Sequence, residues 1–575
     1  MITFVEFHMI NKMKSNFCRL EYLPNLAAGQ IMACFKEKGI KAELVSGQTR
    51  YFKDVFINEQ EELFQLLAGL QKEDLKRAGQ IGFGNLLMLH QHFSSDKSGL
   101  KDLLKNAYSV VSGQSEEDYL DKNKLLQTLR IKNALFELYD FYYSQKEEKN
   151  LSIINNLCKA VRKTKPDVLA FSFTSNYDYA HAEYLSDYVK EAVNTLKKEL
   201  DIPVIACSQL LPTMPALKEH IFKSLALDYF IFDDGLKTLP ELAERLESSK
   251  PADKISNLGY RKGGRIITTQ KAEPKNFDEL PCPDFSDFEL DYYFFPKRIL
   301  PIGVSHVCNW RKCAFCGEIP NVKYCEMGRE KFLEIINNYR RKFKTNFVEI
   351  QSLSPSSTQM VEYAKGMAEN KIDDVFFALL SRLYDYYSKK NIAKTLYKGG
   401  VRYVMWGLES GNQKTLDRMN KGIKIYTARK ILENFHEARI RNMCYVMVGF
   451  PGESKEEFKK TLRFLEQERK NIDGVVITPF NLFKNSHISN NKEKFFVKSV
   501  SENPDNPATY KFELSNGISH EESKKIIKEV GEDISNGKLR ISRENNDPID
   551  QFYLDKISGH DAMHHILFYL ACKNQ

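Results

Sequence analysis

Residues 304–320 read VSHVCNWRKCAFCGEIP and place three thiols, Cys308, Cys313 and Cys316, within nine positions. The stretch follows an expected strand over 301–307, so the cysteines fall in a loop at a strand's carboxyl end. Three thiolates in one such loop can ligate three irons of a four-iron cluster and leave the fourth iron open to chelate a small molecule. A bound metal enforces the deprotonated thiolate that coordination needs. A rival reading adds His306 to the three thiols as a Cys₃His zinc site of structural type, in a zinc-stabilised binding module. Zinc ligands usually pair across two separated knuckles, and no second Cys-x-x-Cys is present.

Downstream the chain alternates. Strands are expected at 301–307, 347–352, 375–381, 402–408, 444–450 and 474–481, with helices between them in EKFLEIINNYRRKF, TQMVEYAKGMA, YTARKILENFHEA and KEEFKKTLRFLEQE. Six strand–helix units over 299–489 predict a partial (β/α)6 TIM-type barrel with its active centre at the carboxyl-terminal strand ends. Residues 490–575 are more polar and less regular, a mixed carboxyl-terminal region.

Upstream the pattern is also α/β. A strand (Ile2–His8), a helix (Leu23–Lys38) and a strand (Ala42–Gly47) open the chain, and an all-helical insertion is expected over about 54–165. The alternation resumes with DVLAFSFTS (167–175), a helix to Leu200, IPVIACS (202–208), a helix near Ala216–Leu225, DYFIFDDG (228–235) and the helix PELAERLES. Five short apolar strands separated by helices describe a doubly wound, Rossmann-like sheet over 1–250 that binds ligands beyond the carboxyl ends of its strands. Residues 251–298 read as a linker that carries a hairpin turning at Gly263–Gly264.

Composition bounds the function. A chain of 575 residues sets an expectation of three or four structural units, and 42% hydrophobic content belongs to a globular protein. No apolar run approaches the roughly 20 residues that span a bilayer, and the amino-terminal segment has charges where a signal peptide is apolar, so a cytoplasmic location is expected. The 84 basic and 76 acidic residues are interspersed, which argues against nucleic-acid binding. Of the 11 cysteines, Cys34, Cys158, Cys207, Cys444 and Cys572 sit in hydrophobic patterns and read as core residues.

The cysteine loop resembles that of radical S-adenosylmethionine (SAM) enzymes, which carry Cys-x₃-Cys-x₂-Cys with an aromatic residue before the last cysteine. Phe315 occupies that place. The first gap departs from the pattern, being four residues (Asn309–Lys312), and Cys-x-Trp-x-x-Cys-x-Phe-Cys resembles a variant in radical SAM proteins with a cobalamin-binding domain. VRYVMWGLESGNQKTLDRMNKGI (401–423) and YVMVGFPGESKEEFKKTLRFL (445–465) resemble the superfamily's fourth- and fifth-strand signatures.

The resemblance implies a [4Fe–4S] cluster on Cys308, Cys313 and Cys316, SAM on its open iron, and an electron donor such as flavodoxin or ferredoxin. Gly407 and Glu409 stand at a strand end suited to close approach and to ribose hydroxyls or an amine, although a helix-start carboxylate is an equal reading of Glu409. Arg382 faces the SAM carboxylate or the surface.

The amino-terminal domain resembles a cobalamin-binding domain, in which Ser172, Thr174 and Ser175 offer hydroxyls to the cofactor's tail and Gly235 allows backbone approach. Where that family often has paired glycines and Gly-Glu-Gly-Glu, this chain has Cys207-Ser208-Gln209 and Asp233-Asp234-Gly235-Leu236. A lower-axial role for His8 and a substrate role for His560, His564 and His565 are minor readings. The expected activity is methylation of an unactivated carbon of a peptide or small natural product, with rearrangement, oxidation or cross-linking as the alternative.

Overall fold

The computed structural model describes residues 1–6, 24–47, 148–172, 187–207, 225–317 and 323–542, apart from 234, 264, 273–275, 291–297 and 504–508, together with the single positions 69, 71 and 73. The chain forms two compact units, one of Met1–Ala272 with Pro283–Arg298, the other of Glu273–Cys282 with Ile299–Gln575. Among the described residues no helix is long and apolar enough to cross a membrane.

The first unit is built on a seven-stranded sheet. Its strands are β1 (Ile2–Glu6), β2 (Ala42–Ser46), β3 (Val168–Ser172), β4 (Val204–Cys207), β5 (Tyr229–Ile231), β6 (Leu258–Lys262) and β7 (Arg265–Thr268), in the order β2-β1-β3-β4-β5-β6-β7. The first five run parallel. Every residue of β4, sequence VIAC, is buried, as a strand covered on both faces requires. The order 2-1-3-4-5 reverses between β1 and β3, and there the carboxyl-terminal residues Glu6 and Ser172 pair in register. Crevices at such reversals are where doubly wound sheets take ligands.

The segment read as a linker contributes to this unit. β6 pairs antiparallel with β5 and β7 with β6, so the hairpin lengthens the sheet. Its turn uses Gly263 at φ +56°, a conformation that costs glycine little. Residues 283–298 return to helix Leu26–Glu37, where Lys36 pairs with Asp284 at 2.8 Å and Asp287 at 2.7 Å. Phe285 packs so close to Gly29 that a Cβ there would stand 2.4 Å from the ring. Of the expected insertion, the helix Glu148–Thr164 is described; nearly all the rest, with the helix near Ala216–Leu225, lies outside the described residues.

The second unit holds six parallel strands that pair in chain order: β8 (Ile299–Ile302), β9 (Phe347–Ile350), β10 (Phe376–Ser381), β11 (Val401–Glu409), β12 (Arg441–Val448) and β13 (Gly474–Pro479). With helices between them this is the open (β/α)6 arrangement, and every carboxyl end lies on one edge. Helices Ser357–Glu369 and Lys455–Glu468 start where a side chain satisfies their first amides. Ser356 accepts from Gln359 N, and Ser454 and Glu457 form a capping box for Lys455–Glu468.

Burial fixes the middle of this sheet. Trp406 on β11 is fully buried between Tyr387 and Phe435, with ring centroids 5.7 and 4.9 Å away, and donates its Nε1–H to Asn442 Oδ1 at 2.8 Å. Asn442 on β12 is itself fully buried and satisfied, donating through Nδ2 to the carbonyls of Leu432 and Asn471 and through its backbone N to Asp473. A buried polar network of this kind holds only when its members are paired.

The described residues of the carboxyl-terminal region are more regular than its composition suggests. β14 (Leu482–Phe483), β15 (Val497–Glu502) and β16 (Thr509–Leu514) form an antiparallel sheet, and helix His520–Ser535 packs on β13. The turn after β12 is tied to this region by Gly452 N to Asn516 O at 3.2 Å and by Ile518 N to Glu453 O at 2.9 Å.

Candidate active site

The cysteine loop leaves the carboxyl end of β8 and is fastened from three sides. Asn309 N donates to Ser354 O beyond β9 at 3.2 Å, and Ala314 N to Met419 O beyond β11 at 2.8 Å. From beyond β14, Ile488 N donates to Ala314 O at 3.1 Å. Gly317 lies against Phe483, where a Cβ would approach within 2.7 Å. Cys308, Cys313 and Cys316 are half-buried thiols, and Cys316 N donates to Cys313 O at 3.2 Å to close the turn that holds Phe315.

Two cations stand beside this loop. Lys421, beyond β11, is buried and pairs through Nζ with Glu409 Oε1 at 2.9 Å, while Nζ lies 5.5 Å from the centroid of the Phe315 ring. Burial works against its charge, but the Glu409 carboxylate and the Cys313 thiol leave the ammonium held above the ordinary lysine range. Cys313 is pushed up by burial, which Lys421 and Arg382 oppose, so a metal bound there would have to displace the thiol proton. Arg382, beyond β10, is buried with its guanidinium 4.1 Å from the Trp310 ring centroid and 4.9 Å from that of Tyr384. Its Nη2 donates to Lys421 O, and its Nε has no partner among the described residues.

Gly407 and Glu409 explain one another. β11 is irregular between them, and Glu409 takes φ +66°, a left-handed conformation rare outside glycine. A Cβ on Gly407 would come within 3.0 Å of both Glu409 Oε1 and Lys421 Nζ, so the glycine makes room for the ion pair. Left-handed non-glycine backbone of this kind gathers at functional sites. The carboxylate belongs to this strand-end cluster and not to the start of a helix.

The Gly449–Gly452 turn after β12 uses two left-handed glycines, at φ +81° and +78°. It encloses Glu453, fully buried, whose Oε2 accepts from Gly449 N at 2.8 Å and whose Oε1 has no partner among the described residues. Burial pushes its carboxyl up to about 7.

In the first unit, Ser172 ends β3 in register with Cys207 and Glu6. Gly235 takes φ +74° after β5, and its missing Cβ leaves space for Cys207 Sγ, which would lie 3.0 Å away. Asp233 organises that loop by accepting from Gly235 N at 2.8 Å, Thr238 Oγ1 at 3.0 Å and Asn257 Nδ2 at 2.7 Å. Thr174, Ser175, His8, His560, His564 and His565 lie outside the described residues. Cys34, Cys158, Cys207 and Cys444 are buried, and His306 stacks on Phe277 at 4.2 Å.

Trp310, Lys421, Ser354 and Tyr384 were not singled out in the sequence. Ser354 and Tyr384 share a hydrogen bond of 2.8 Å, and Ser354 Oγ also accepts from Arg382 N at 3.2 Å. The available signal for two of them was position: Trp310 sits inside the lengthened cysteine gap and Lys421 inside the quoted fourth-strand signature.

Among the described residues, no three His, Cys, Asp or Glu side chains converge as ligands of one ion. A four-iron cluster asks for a different arrangement, since each thiolate binds its own iron. Three thiols on one loop, beside buried Lys421 and Arg382 that complement an anionic group, fit that donor set.

Residues 302–465 match the Radical SAM superfamily and form a radical SAM domain. An uncharacterised methyltransferase of Pyrococcus horikoshii is 20% identical over 342 residues, covering 56% of this chain and 71% of that protein. The structure of the cobalamin-dependent SAM radical enzyme OxsB, with aqua-cobalamin and SAM bound, aligns with a TM-score of 0.60 at 13% identity, over 99% of this chain and 72% of that one. The radical SAM methyltransferase TsrM from Kitasatospora setae, solved with tryptophan substrate and a SAM analogue, aligns at 0.52 with 12% identity, over 85% and 74%. At these identities the likeness establishes the fold alone: an α/β sheet of Rossmann type followed by a parallel β/α barrel.

Proposed function

We propose that the radical SAM domain of this chain cleaves SAM reductively at a [4Fe–4S] cluster held by Cys308, Cys313 and Cys316, and that the enzyme is a cobalamin-dependent methyltransferase acting on an unactivated carbon of a peptide or small natural product. The observation that carries this reading is the meeting of the three-cysteine loop with Arg382, Glu409 and Lys421 at one edge of the parallel sheet. Methyl transfer is supported by the likeness to OxsB and TsrM and to the Pyrococcus methyltransferase.

When bound, the cluster supplies one electron to SAM and cobalamin supplies a carrier for the methyl group. The chain's own residues position and shield. Arg382 offers its unpartnered Nε–H to the SAM carboxylate. Glu409, held by Lys421 in the room that Gly407 leaves, accepts from a ribose hydroxyl or the amine. In the first unit, Ser172 and Gly235 stand at the strand ends that would take the cobalamin tail, and Thr174 and Ser175 are the further hydroxyls assigned to it from the sequence. A flavodoxin or ferredoxin supplies the electron.

Anaerobic reconstitution with iron, sulfide and hydroxocobalamin tests this. The protein should gain the broad absorbance of an iron–sulfur cluster, retain cobalt and convert SAM to 5′-deoxyadenosine. Protein with neither iron–sulfur absorbance nor 5′-deoxyadenosine sinks the reading. A second outcome, rearrangement, oxidation or cross-linking, is favoured by Cys207-Ser208-Gln209 standing where cobalamin proteins often carry paired glycines. Product mass separates the two, because methylation alone adds a CH₂ unit.

A further inference from the structure

Trp310, inside the lengthened first cysteine gap, has a built environment of its own. Trp310 reaches 110 positions along the chain to donate its Nε1–H to Asn420 O at 2.9 Å. Its ring rests on Gly422, where a Cβ would stand 2.3 Å from Cζ2 and 2.5 Å from Cη2, and that glycine takes φ +65°. The ring also carries two cations, the buried guanidinium of Arg382, 4.1 Å from the ring centroid, and Lys312 Nζ, 5.0 Å from it. Three successive carbonyls of the turn are thereby engaged: Met419 by Ala314 N, Asn420 by Trp310 and Lys421 by Arg382.

We infer that Trp310 is a positioning residue, clasping the cluster loop to the Met419–Gly422 turn and orienting Arg382 toward the anionic group of SAM. The inference rests on the radical SAM reading above. Its physical content is a division of labour in one side chain. The indole N–H sets how far the loop stands from the turn, the ring face locks the plane of Arg382, and Gly422 is the only residue type that leaves the ring its place. Arg382 keeps Nε free because the ring, and not a carboxylate, covers its buried face. An acidic partner there would consume the donors and repel a SAM carboxylate.

The experiment is a mutant cycle on full-length protein reconstituted anaerobically, with Trp310→Ala, Trp310→Phe, Gly422→Ala and the double Trp310→Ala/Gly422→Ala. Iron and sulfide per chain, the rate of iron loss to a chelator, and KM for SAM against kcat for 5′-deoxyadenosine are read on each. Trp310→Ala should raise KM for SAM about tenfold, the worth of a desolvated cation–π contact, with a smaller fall in kcat. It should also lose iron to the chelator faster than wild type.

Trp310→Phe keeps the stack and lacks the indole donor, so KM should stay within about threefold while iron loss still quickens. Gly422→Ala should mimic Trp310→Ala in the wild-type background and add little in the Trp310→Ala background. The left-handed cost of alanine is common to both backgrounds and cancels in the cycle. Wild-type KM and iron retention in Trp310→Ala, or additive effects in the double variant, overturn the inference while the radical SAM reading stands. Wild-type protein that takes up no iron and sulfide overturns that reading and the inference with it.

Discussion

Lys421 Nζ lies 2.9 Å from Glu409 Oε1, and both side chains are largely withdrawn from water, at 7% and 15% exposure. Each ion is tolerable there because the other is present, so the pair fixes the backbone of β11's end as much as it offers a charge to a ligand. Deleting one partner leaves an uncompensated charge, whereas deleting both does not.

Lys421→Met should therefore destabilise the second unit by about 3–5 kcal/mol, and Lys421→Met/Glu409→Gln by clearly less. Thermal unfolding of the four proteins of this cycle measures it. Equal losses in the single and double variants contradict a coupled pair.

Substitution of any one of Cys308, Cys313 and Cys316 by Ala should abolish iron–sulfur absorbance after reconstitution and leave far-ultraviolet circular dichroism unchanged. Cys325→Ala should retain the cluster: its Sγ, 3.8 Å from Asn276 Oδ1, is engaged elsewhere. A triad variant that holds wild-type iron removes that cysteine from the ligand set.

Glu453 predicts a pH dependence of stability. Its carboxyl is raised to about 7 by burial, against an ordinary value near 4.3 in the unfolded chain. Between those values the folded protein holds the proton that the unfolded chain releases, so stability falls as pH rises through this window and levels off above it, by roughly 3 kcal/mol in all. Arg418, which favours the carboxylate, and Glu457, which opposes it, shape the upper end of the transition. Glu453→Gln should flatten the profile and be more stable than wild type at pH 8 relative to pH 5. Parallel melting profiles for the two proteins contradict this assignment.

Asp233→Ala should cost the first unit about 2–4 kcal/mol, because it leaves the Gly235 amide, the Thr238 hydroxyl and the Asn257 amide without their common acceptor. Hydrogen exchange should quicken at Gly235 and through the start of helix Thr238–Glu247 while the second unit keeps its protection. Unchanged exchange at these amides contradicts the role of Asp233.

Parallel strands covered on both faces advertise themselves as short apolar runs, and for that reason β4 is legible within IPVIACS, whereas β8, expected at 301–307, lies at Ile299–Ile302. β15, sequence VKSVSE, is exposed along most of its length and carries no such run, so the small antiparallel sheet was read as irregular. The hairpin β6–β7 looked like a linker because its exposed residues are those of an edge. Within the site, the thiols were legible because their spacing is local. Lys421 was not, since its link to Glu409 depends on a left-handed backbone and a turn that bring together residues 12 positions apart. Trp310 falls inside the cysteine spacing, yet its partners Arg382, Asn420 and Gly422 lie in loops after two later strands.

The chain order of the second sheet has a consequence for assembly. Each strand from β8 to β13 pairs with its neighbours in sequence, so the sheet can grow as the polypeptide emerges from the ribosome. The cysteine loop obeys another clock. A nascent chain that stops short of residue 419 already carries all three thiols, but it has none of the carbonyls that take Ala314, Trp310 and Arg382, and the anchor from Ile488 arrives later still. On the function proposed above, metal insertion into a settled loop would be a late event in the life of the chain, gated by the synthesis of segments that contribute no ligand.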